Sequence, residues 1–271
     1  MKTIGIVGCG NMGSAIASAL AKDTNWEVLV HDTRTEHVHQ FAQTVHVRAV
    51  ELDELLSASS IVVLAVKPQV IGYLYERLRQ GCTHISWISL IAGVTNDTLA
   101  AELGTEQIVR IQPNIAAQVG KAVTAVVPHP KADPAFIEET FNIVRQFGSA
   151  YGIPEDQMAA FTGVSGSAIA ACLLFLHAVA MGGVQEGLSY PLALSLIRDT
   201  AESATAVLRE TGRNPIDLAI TVCSPGGMTI EMMHVLQSSG FEGILMDSVE
   251  AVAEKVRMLD ELAASRAKKL S

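Results

Sequence analysis

Three glycines, Gly8, Gly10 and Gly13, stand in G-x-G-x-x-G spacing within IGIVGCGNMGSAIASAL (4–20). The run closes an apolar β-branched stretch and opens an amphipathic one, at the head of a strand–helix–strand unit. In that context each glycine has a role. Gly8 permits a tight turn, Gly10 lets main chain approach a pyrophosphate, and Gly13 lets the helix lie close to the sheet. The free N–H groups of that helix then suit phosphate oxygens. The alternative is a glycine-rich turn that binds nothing.

The second strand ends in His31-Asp32-Thr33-Arg34. Asp32 lies where a carboxylate would accept from the ribose hydroxyls of NAD and repel a 2′-phosphate. Arg34 could instead pair with that phosphate. The spacing leaves NAD against NADP open, and both residues could equally be solvated loop charges. LAVKPQ (64–69) breaks a strand at Lys67-Pro68, on the edge where ligands of doubly wound sheets bind, so Lys67 could face ribose or phosphate. Arg110 and QPN (112–114) occupy a similar strand end, where Asn114 could bond a carboxamide or ribose.

VCSPGGMTIEMM (222–233) puts a strong breaker directly before an apolar helix. The turn offers two hydroxyls, Ser224 and Thr229, and a run of backbone N–H groups, those of Gly226 and Gly227 exposed by the lack of side chains. A helix beginning near Thr229 points its positive end at the turn, which suits a carboxylate without any arginine. The plainer alternative is a helix start with Thr229 as its cap.

Short β-branched runs alternating with amphipathic helices must position these groups. Strands are expected at 3–8, 26–32, 60–66, 84–91, 108–113, 123–128 and 149–153, with helices at 12–22 and 135–148. The alternation predicts a parallel sheet covered on both faces. After Pro154 helical periodicity takes over, with helices at about 165–188, 191–211, 214–221, 229–239 and 244–268. The expected plan is an α/β dinucleotide-binding domain of the Rossmann type over residues 1–154, then an all-helical domain over 155–271.

Composition narrows the class further. Hydrophobic residues make up 49% of the 271, so the chain packs as a globular protein. A net charge of −9, spread along the chain, argues against nucleic acid or an anionic membrane as partner. Cys9, Cys82, Cys172 and Cys223 match no zinc or redox spacing, and no metal is expected. The amino terminus goes straight into a strand without signal-peptide features, which implies a reducing cytoplasm. Residues 164–184 carry no Asp, Glu, Lys or Arg and are long enough to span a bilayer. Their small residues and the lack of a second span favour instead a helix buried between subunits or domains.

No lysine lies between Lys131 and Lys255, and the histidines of the helical part are His177, inside the apolar helix and read as a core residue, and His234. The reaction therefore needs no strong protein acid, which disfavours alcohol oxidation and favours a substrate that is already an electrophile. GCGNMG (8–13), LAVKP (64–68), AG (92–93), PN (113–114), SGS (165–167), SPGG (224–227) and SGFEGIL (239–245), in that order, resemble the pyrroline-5-carboxylate reductases.

That resemblance covers nearly the whole chain and implies reduction of the cyclic imine 1-pyrroline-5-carboxylate to L-proline, the last step of proline synthesis. It implies NADPH as cofactor, with NADH an option, and a homodimer of interleaved helical domains that can assemble into a decamer. It implies that Gly8, Gly10, Asn11, Met12, Gly13, Asp32, Arg34, Ala65, Val66, Lys67, Pro68, Ala92, Gly93 and Asn114 contact the nucleotide. Ser165 and the turn residues Ser224, Gly226, Gly227, Met228 and Thr229 would contact substrate. Ser224 and the amides of Met228 and Thr229 would hold the carboxylate, and the Thr229 hydroxyl would bond the ring nitrogen.

The chain departs from the family pattern at three places. Gln112-Pro113-Asn114-Ile115-Ala116 replaces M-P-N-T-P, Ser167-Ala168-Ile169-Ala170-Ala171 replaces S-G-P-A-Y, and Met228 follows SPGG where smaller residues are common. These positions bear on which imine is reduced. The alternatives are a reductase of another cyclic imine or a keto acid, and a nucleotide-binding paralogue without turnover.

Overall fold

The computed structural model describes residues 2–80 and 84–270, with side chains as far as residue 261; Cys82 lies outside the described residues. The chain forms two compact units, Met1–Gly166 together with Val252–Ser271, and Ser167–Ala251. In order the first contains β1 (Lys2–Val7), α1 (Asn11–Leu20), β2 (Trp26–His31), α2 (Thr35–Val45), β3 (Arg48–Ala49), α3 (Leu52–Ala58) and β4 (Ile61–Leu64). There follow α4 (Pro68–Ile71), α5 (Tyr75–Arg79), β5 (Ser86–Ser89), α6 (Asn96–Leu103), β6 (Ile108–Pro113), a 3-10 turn (Ile115–Val119) and β7 (Ala122–Pro128). After α7 (Pro134–Arg145) and β8 (Gly148–Gly152) come a 3-10 turn (Glu155–Gln157), α8 (Met158–Phe161) and a π-helical turn (Thr162–Ser167). The helical unit holds α9 (Ala168–Gln185), α10 (Tyr190–Thr211), α11 (Pro215–Thr221) and α12 (Met228–Ser238), and α13 (Phe241–Leu270) runs through the division.

The sheet has eight strands in the order β3-β2-β1-β4-β5-β6-β7-β8. Its central strands β1 and β4 are almost wholly apolar because both faces are covered. Ile4, Val30, Val63 and Ile111 pack with Ile16, Leu20 and Phe147 on one side. Val7, Val62, Leu64 and the fully buried Trp87 pack with Leu55, Leu78 and Leu99 on the other. The expected parallel sheet needs one correction: β6 and β7 are antiparallel. The link between them holds only the 3-10 turn, and a parallel neighbour would have needed a longer crossover. The two-residue strand β3 is too short to leave an alternating pattern.

In the helical unit Ala180 and Ala193 are buried, and Gly183 faces the Ala193 methyl, so α9 and α10 approach closely. The rings of Phe175 and Phe241 lie 6.5 Å apart. His177, expected in a core, is exposed within its own chain and its Nδ1 lies 3.0 Å from the Tyr190 hydroxyl. Leu173, Leu174, Met181, Leu192 and Leu196 are all exposed. Among the described residues one helical stretch, Glu155–Gln185, is long and apolar enough to cross a membrane, and only 6% of its apolar window is buried. The charge-free helix thus has little of its surface hidden by its own chain.

Candidate active site

The strand ends of β1 and β4 meet at the glycine loop. Gly8 has φ +100°, a left-handed conformation, and a Cβ there would stand 2.8 Å from the Ala65 carbonyl oxygen. The loop can take this path only with glycine. A Cβ on Gly13 would overlap the Gly8 carbonyl oxygen, so α1 sits directly on the turn it follows. Gly10 is the cap of α1, with no side-chain hydrogen bond there and nothing within 4 Å of the position a Cβ would take. The Ser14 N–H is the first to bond back, to the Gly10 carbonyl. The N–H groups of Asn11, Met12 and Gly13 therefore have no acceptor in their own helix, as at any helix start. Open space over three N–H groups at a positive helix end fits the pyrophosphate of a dinucleotide.

At the end of β2 every acceptor position of the Asp32 carboxylate is taken. Oδ1 accepts from the Arg34 N–H at 2.9 Å and Arg34 Nε at 3.0 Å. Oδ2 accepts from the Cys9 N–H at 2.8 Å and an Arg34 Nη at 3.0 Å. Burial tends to raise this carboxyl, but the hydrogen bonds from Arg34 and the Cys9 N–H outweigh it and hold it at about 2 against an ordinary 3.8. Its stabilising effect is therefore complete above about pH 4 and is lost as pH falls towards 2. The Arg34 side chain remains 58% exposed, leaving guanidinium donors outside the pair. Burial and the Asp32 charge push the Cys9 thiol up to about 12 despite Arg34, so Cys9 stays protonated and serves through its main chain. His37 Nε2 reaches the Cys9 carbonyl at 3.3 Å.

The remaining expected nucleotide residues cluster at the same edge. Ala65 and Val66 follow β4, with the Ala65 N–H on the Val7 carbonyl at 2.8 Å, and the exposed Lys67 caps α4 with Pro68 at its first position. Ala92 and Gly93 form the turn after β5, where Gly93 has φ +74°. Asn114 is buried, and its side chain is engaged by the protein. Oδ1 accepts from the Ala116 and Val123 N–H groups at 3.3 and 3.2 Å, while Nδ2 donates to the Ser165 carbonyl at 3.4 Å. Asn114 thereby braces the strand end. Ser165 is also buried and donates to the Val123 carbonyl at 3.2 Å. Arg110 is buried and ion-paired with Glu155.

The second group lies in the helical unit. The Gly227 N–H donates to the Ser224 carbonyl at 2.9 Å, closing a turn with Pro225 second and Gly226, at φ +66°, third. That is the pattern of a type II turn. Gly227 then caps α12, which starts at Met228, one residue before the expected 229. Thr229 is the second residue of the helix, so the reading of Thr229 as its cap is replaced by a glycine cap with no side-chain bond. A Cβ on Gly227 would overlap Ser224 Oγ, which is therefore folded over the helix start. The N–H groups of Met228, Thr229 and Ile230 are left without intrahelical acceptors, and the Met228 side chain is 92% exposed. Among the described residues no cluster of His, Cys, Asp or Glu could hold a metal.

Comparison with known proteins bears on both halves. Residues 155–259 match the family model for pyrroline-5-carboxylate reductase dimerisation, and residues 3–93 match that for NADP oxidoreductase, coenzyme F420-dependent. The chain is 32% identical over 270 residues to the pyrroline-5-carboxylate reductase of Escherichia coli K12, covering 96% of this chain and 99% of that one. The chain belongs to the pyrroline-5-carboxylate reductase family. The Coxiella burnetii pyrroline-5-carboxylate reductase superposes with a TM-score of 0.87 at 26% identity, covering 94% and 97% of the two chains. The Plasmodium falciparum pyrroline carboxylate reductase, solved with NADP bound, shares the fold at a TM-score of 0.85 and 24% identity over 96% of this chain and 98% of its own.

Membership in the reductase family accounts for the two-part architecture, and the match to a dimerisation domain supports oligomerisation of the helical unit. Several participants left no signal in sequence. Cys9 acts through its main chain, its N–H on Asp32 and its carbonyl beside the His37 ring, and Glu155 and Thr162 matter only because the chain returns to β6. Alternation along β6 does place Arg110 and Gln112 on one side, and two polar side chains at alternate positions of an otherwise apolar strand are a detectable cue.

Proposed function

We propose that this chain is an NADPH-dependent reductase of 1-pyrroline-5-carboxylate that produces L-proline, acting in the cytoplasm as a homodimer or as a decamer of such dimers. The observation that carries the reading is the turn Ser224–Gly227 with its glycine cap, an anion cradle built from main chain, in a chain of this family. When bound, the reduced nicotinamide supplies a hydride to the imine carbon of the protonated ring, and the C=N bond becomes a C–N single bond. The chain's own work is positional. The amides of Met228 and Thr229 and the Ser224 hydroxyl hold the substrate carboxylate. The Thr229 hydroxyl bonds the ring nitrogen, and the amides of Asn11, Met12 and Gly13 hold the pyrophosphate. The exposed apolar face of α9 is taken up by a second copy. Oxidation of NADPH by the purified protein in the presence of 1-pyrroline-5-carboxylate, with proline as product, tests the reading. Turnover only with other imines, or none, would overturn it.

Thr229→Ala is expected to lower kcat by about tenfold or more, equivalent to about 1.4 kcal/mol of barrier, with NADPH affinity unchanged. Steady-state kinetics with a separate nucleotide titration measure the two effects; wild-type kcat would remove Thr229 from the mechanism.

The preference for NADPH rests on Asp32. With four donors on its four acceptor positions, this carboxylate has none left for a ribose 2′-hydroxyl. The Arg34 guanidinium it orients is free on its outer side to pair with a 2′-phosphate. Arg34→Ala is expected to raise the KM for NADPH by about tenfold, the value of one charge-assisted contact, while the KM for NADH changes less than about twofold. Equal changes for both nucleotides would place the phosphate elsewhere.

A further inference from the structure

Arg110, Gln112 and Asn114 alternate along β6 and its extended continuation, so their side chains share one side of the sheet. Each meets a different residue of the segment that follows β8. Arg110 pairs with Glu155, whose Oε1 also takes the Asn96 N–H at 3.0 Å. Gln112 Nε2 donates to Thr162 Oγ1 at 2.7 Å. Asn114 Nδ2 donates to the Ser165 carbonyl, and Ser165 Oγ returns a bond to Val123 on β7. The contacts run in the same order on both sides, 110-112-114 against 155-162-165. The neighbouring strand supplies the apolar half of the seat. Val127 and Ala125 stand opposite Arg110 and Gln112, and they pack with Met158, flanked by Ile153 and Phe161.

The part held at the end of this row is a π-helical turn, Thr162–Ser167. Such turns are rare and frequent at functional sites, and the contacts from β6 are what tie this one to the sheet. Its position is also telling. β6 is parallel to β5, so its end at Pro113 lies on the same sheet edge as the glycine loop. The 3-10 turn after Asn114 buries Ala117 in the cluster that contains Ile16 and Leu20 of α1. We propose that Arg110, Gln112 and Asn114 are positioning residues, a polar rail on β6 that holds the Thr162–Ser167 turn, and Ser165 with it, at the nucleotide edge for hydride transfer. The role in hydride transfer rests on the proposed function; the holding of the turn does not.

Thr162→Val keeps the side-chain shape and removes the acceptor for Gln112, whereas Thr162→Ser keeps the hydroxyl. Single-turnover reduction of 1-pyrroline-5-carboxylate by NADPH and by its 4-deuterated form is measured together with amide hydrogen exchange over 162–167. In Thr162→Val, hydride transfer is expected to slow by about tenfold with a fully expressed isotope effect, and the KM for NADPH to stay within about twofold. Exchange across 162–167 is expected to quicken by about tenfold while that of β1 is unmoved. Thr162→Ser is expected to restore both. If Thr162→Val fails to fold, Gln112→Met removes the donor from the strand side and is read in the same way. Unchanged exchange, wild-type hydride transfer despite faster exchange, or Thr162→Ser behaving as Thr162→Val would each overturn the proposal. A wild-type protein inactive on the imine would instead overturn the proposed function, and exchange over 162–167 would then decide by itself whether the rail holds the turn.

Discussion

Gly13→Ala is expected to weaken NADPH binding by at least about a hundredfold, roughly 2.8 kcal/mol, and to lower the melting temperature as well. The added methyl would overlap the Gly8 carbonyl oxygen, and the next nearest atoms are the Gly8 carbonyl carbon at 3.1 Å and the Ala65 methyl at 3.2 Å. The obstruction is main chain on one side and a short, fixed side chain on the other. It cannot be relieved by a rotamer change, so α1 has to move away from β1. That movement would carry the amides of Asn11 and Met12 away from the phosphate position, so the loss of binding comes in addition to the stability cost of overpacking, usually about 1–3 kcal/mol. Gly10→Ala is the matched control, because nothing lies within 4 Å of its added methyl; any loss there reports crowding of the ligand rather than of the protein. Titration of NADPH fluorescence with both variants measures the contrast. Wild-type affinity in folded Gly13→Ala would contradict the placement of the nucleotide on α1.

Gly227→Ala should have the converse signature: kcat/KM for the imine falls by about thirtyfold or more, roughly 2 kcal/mol, with NADPH binding intact. Its methyl would overlap Ser224 Oγ and stand 3.0 Å from the Ser224 carbonyl oxygen. The Ser224 side chain can swing aside, but it then leaves the position over the helix start. The carbonyl is itself the acceptor of the Gly227 N–H that closes the turn, so opening the turn also displaces the amides of Met228 and Thr229. Ser224→Ala separates the two contributions, since it removes the hydroxyl and leaves the turn closed. A Gly227→Ala variant with full kcat/KM would mean that the carboxylate is held elsewhere. Together the two glycine variants divide the chain's task, one failing in nucleotide binding with the turn intact and the other in substrate use with the nucleotide site intact.

Glycine spacing, β-branched runs and the breaker before α12 are local signals, and they made the strand–helix alternation, the glycine loop and the turn at Ser224–Gly227 legible from the amino acids alone. β6 spans 108–113, as its alternation requires. The family resemblance was legible for the same reason, because its motifs are short and lie in order along the chain. What only the tertiary structure decided concerns residues whose partners are distant in sequence. The Asp32 carboxylate takes the Cys9 N–H as well as Arg34, and the partner from 23 residues upstream is invisible in spacing. Asn114 is joined to Val123 and Ser165, 9 and 51 residues away, by contacts that no local pattern announces. Glu155, in a stretch that reads as a simple boundary, is bound by Arg110 and by the start of α6. The antiparallel turn of β7 depends on a link too short for a crossover, and α12 is capped by Gly227, whose N–H closes the turn on the Ser224 carbonyl, rather than by Thr229. A sequence sets which groups are available and how each segment tends to curl. Which acceptors remain open depends on the other strands and helices brought beside them, and that is a property of the folded chain.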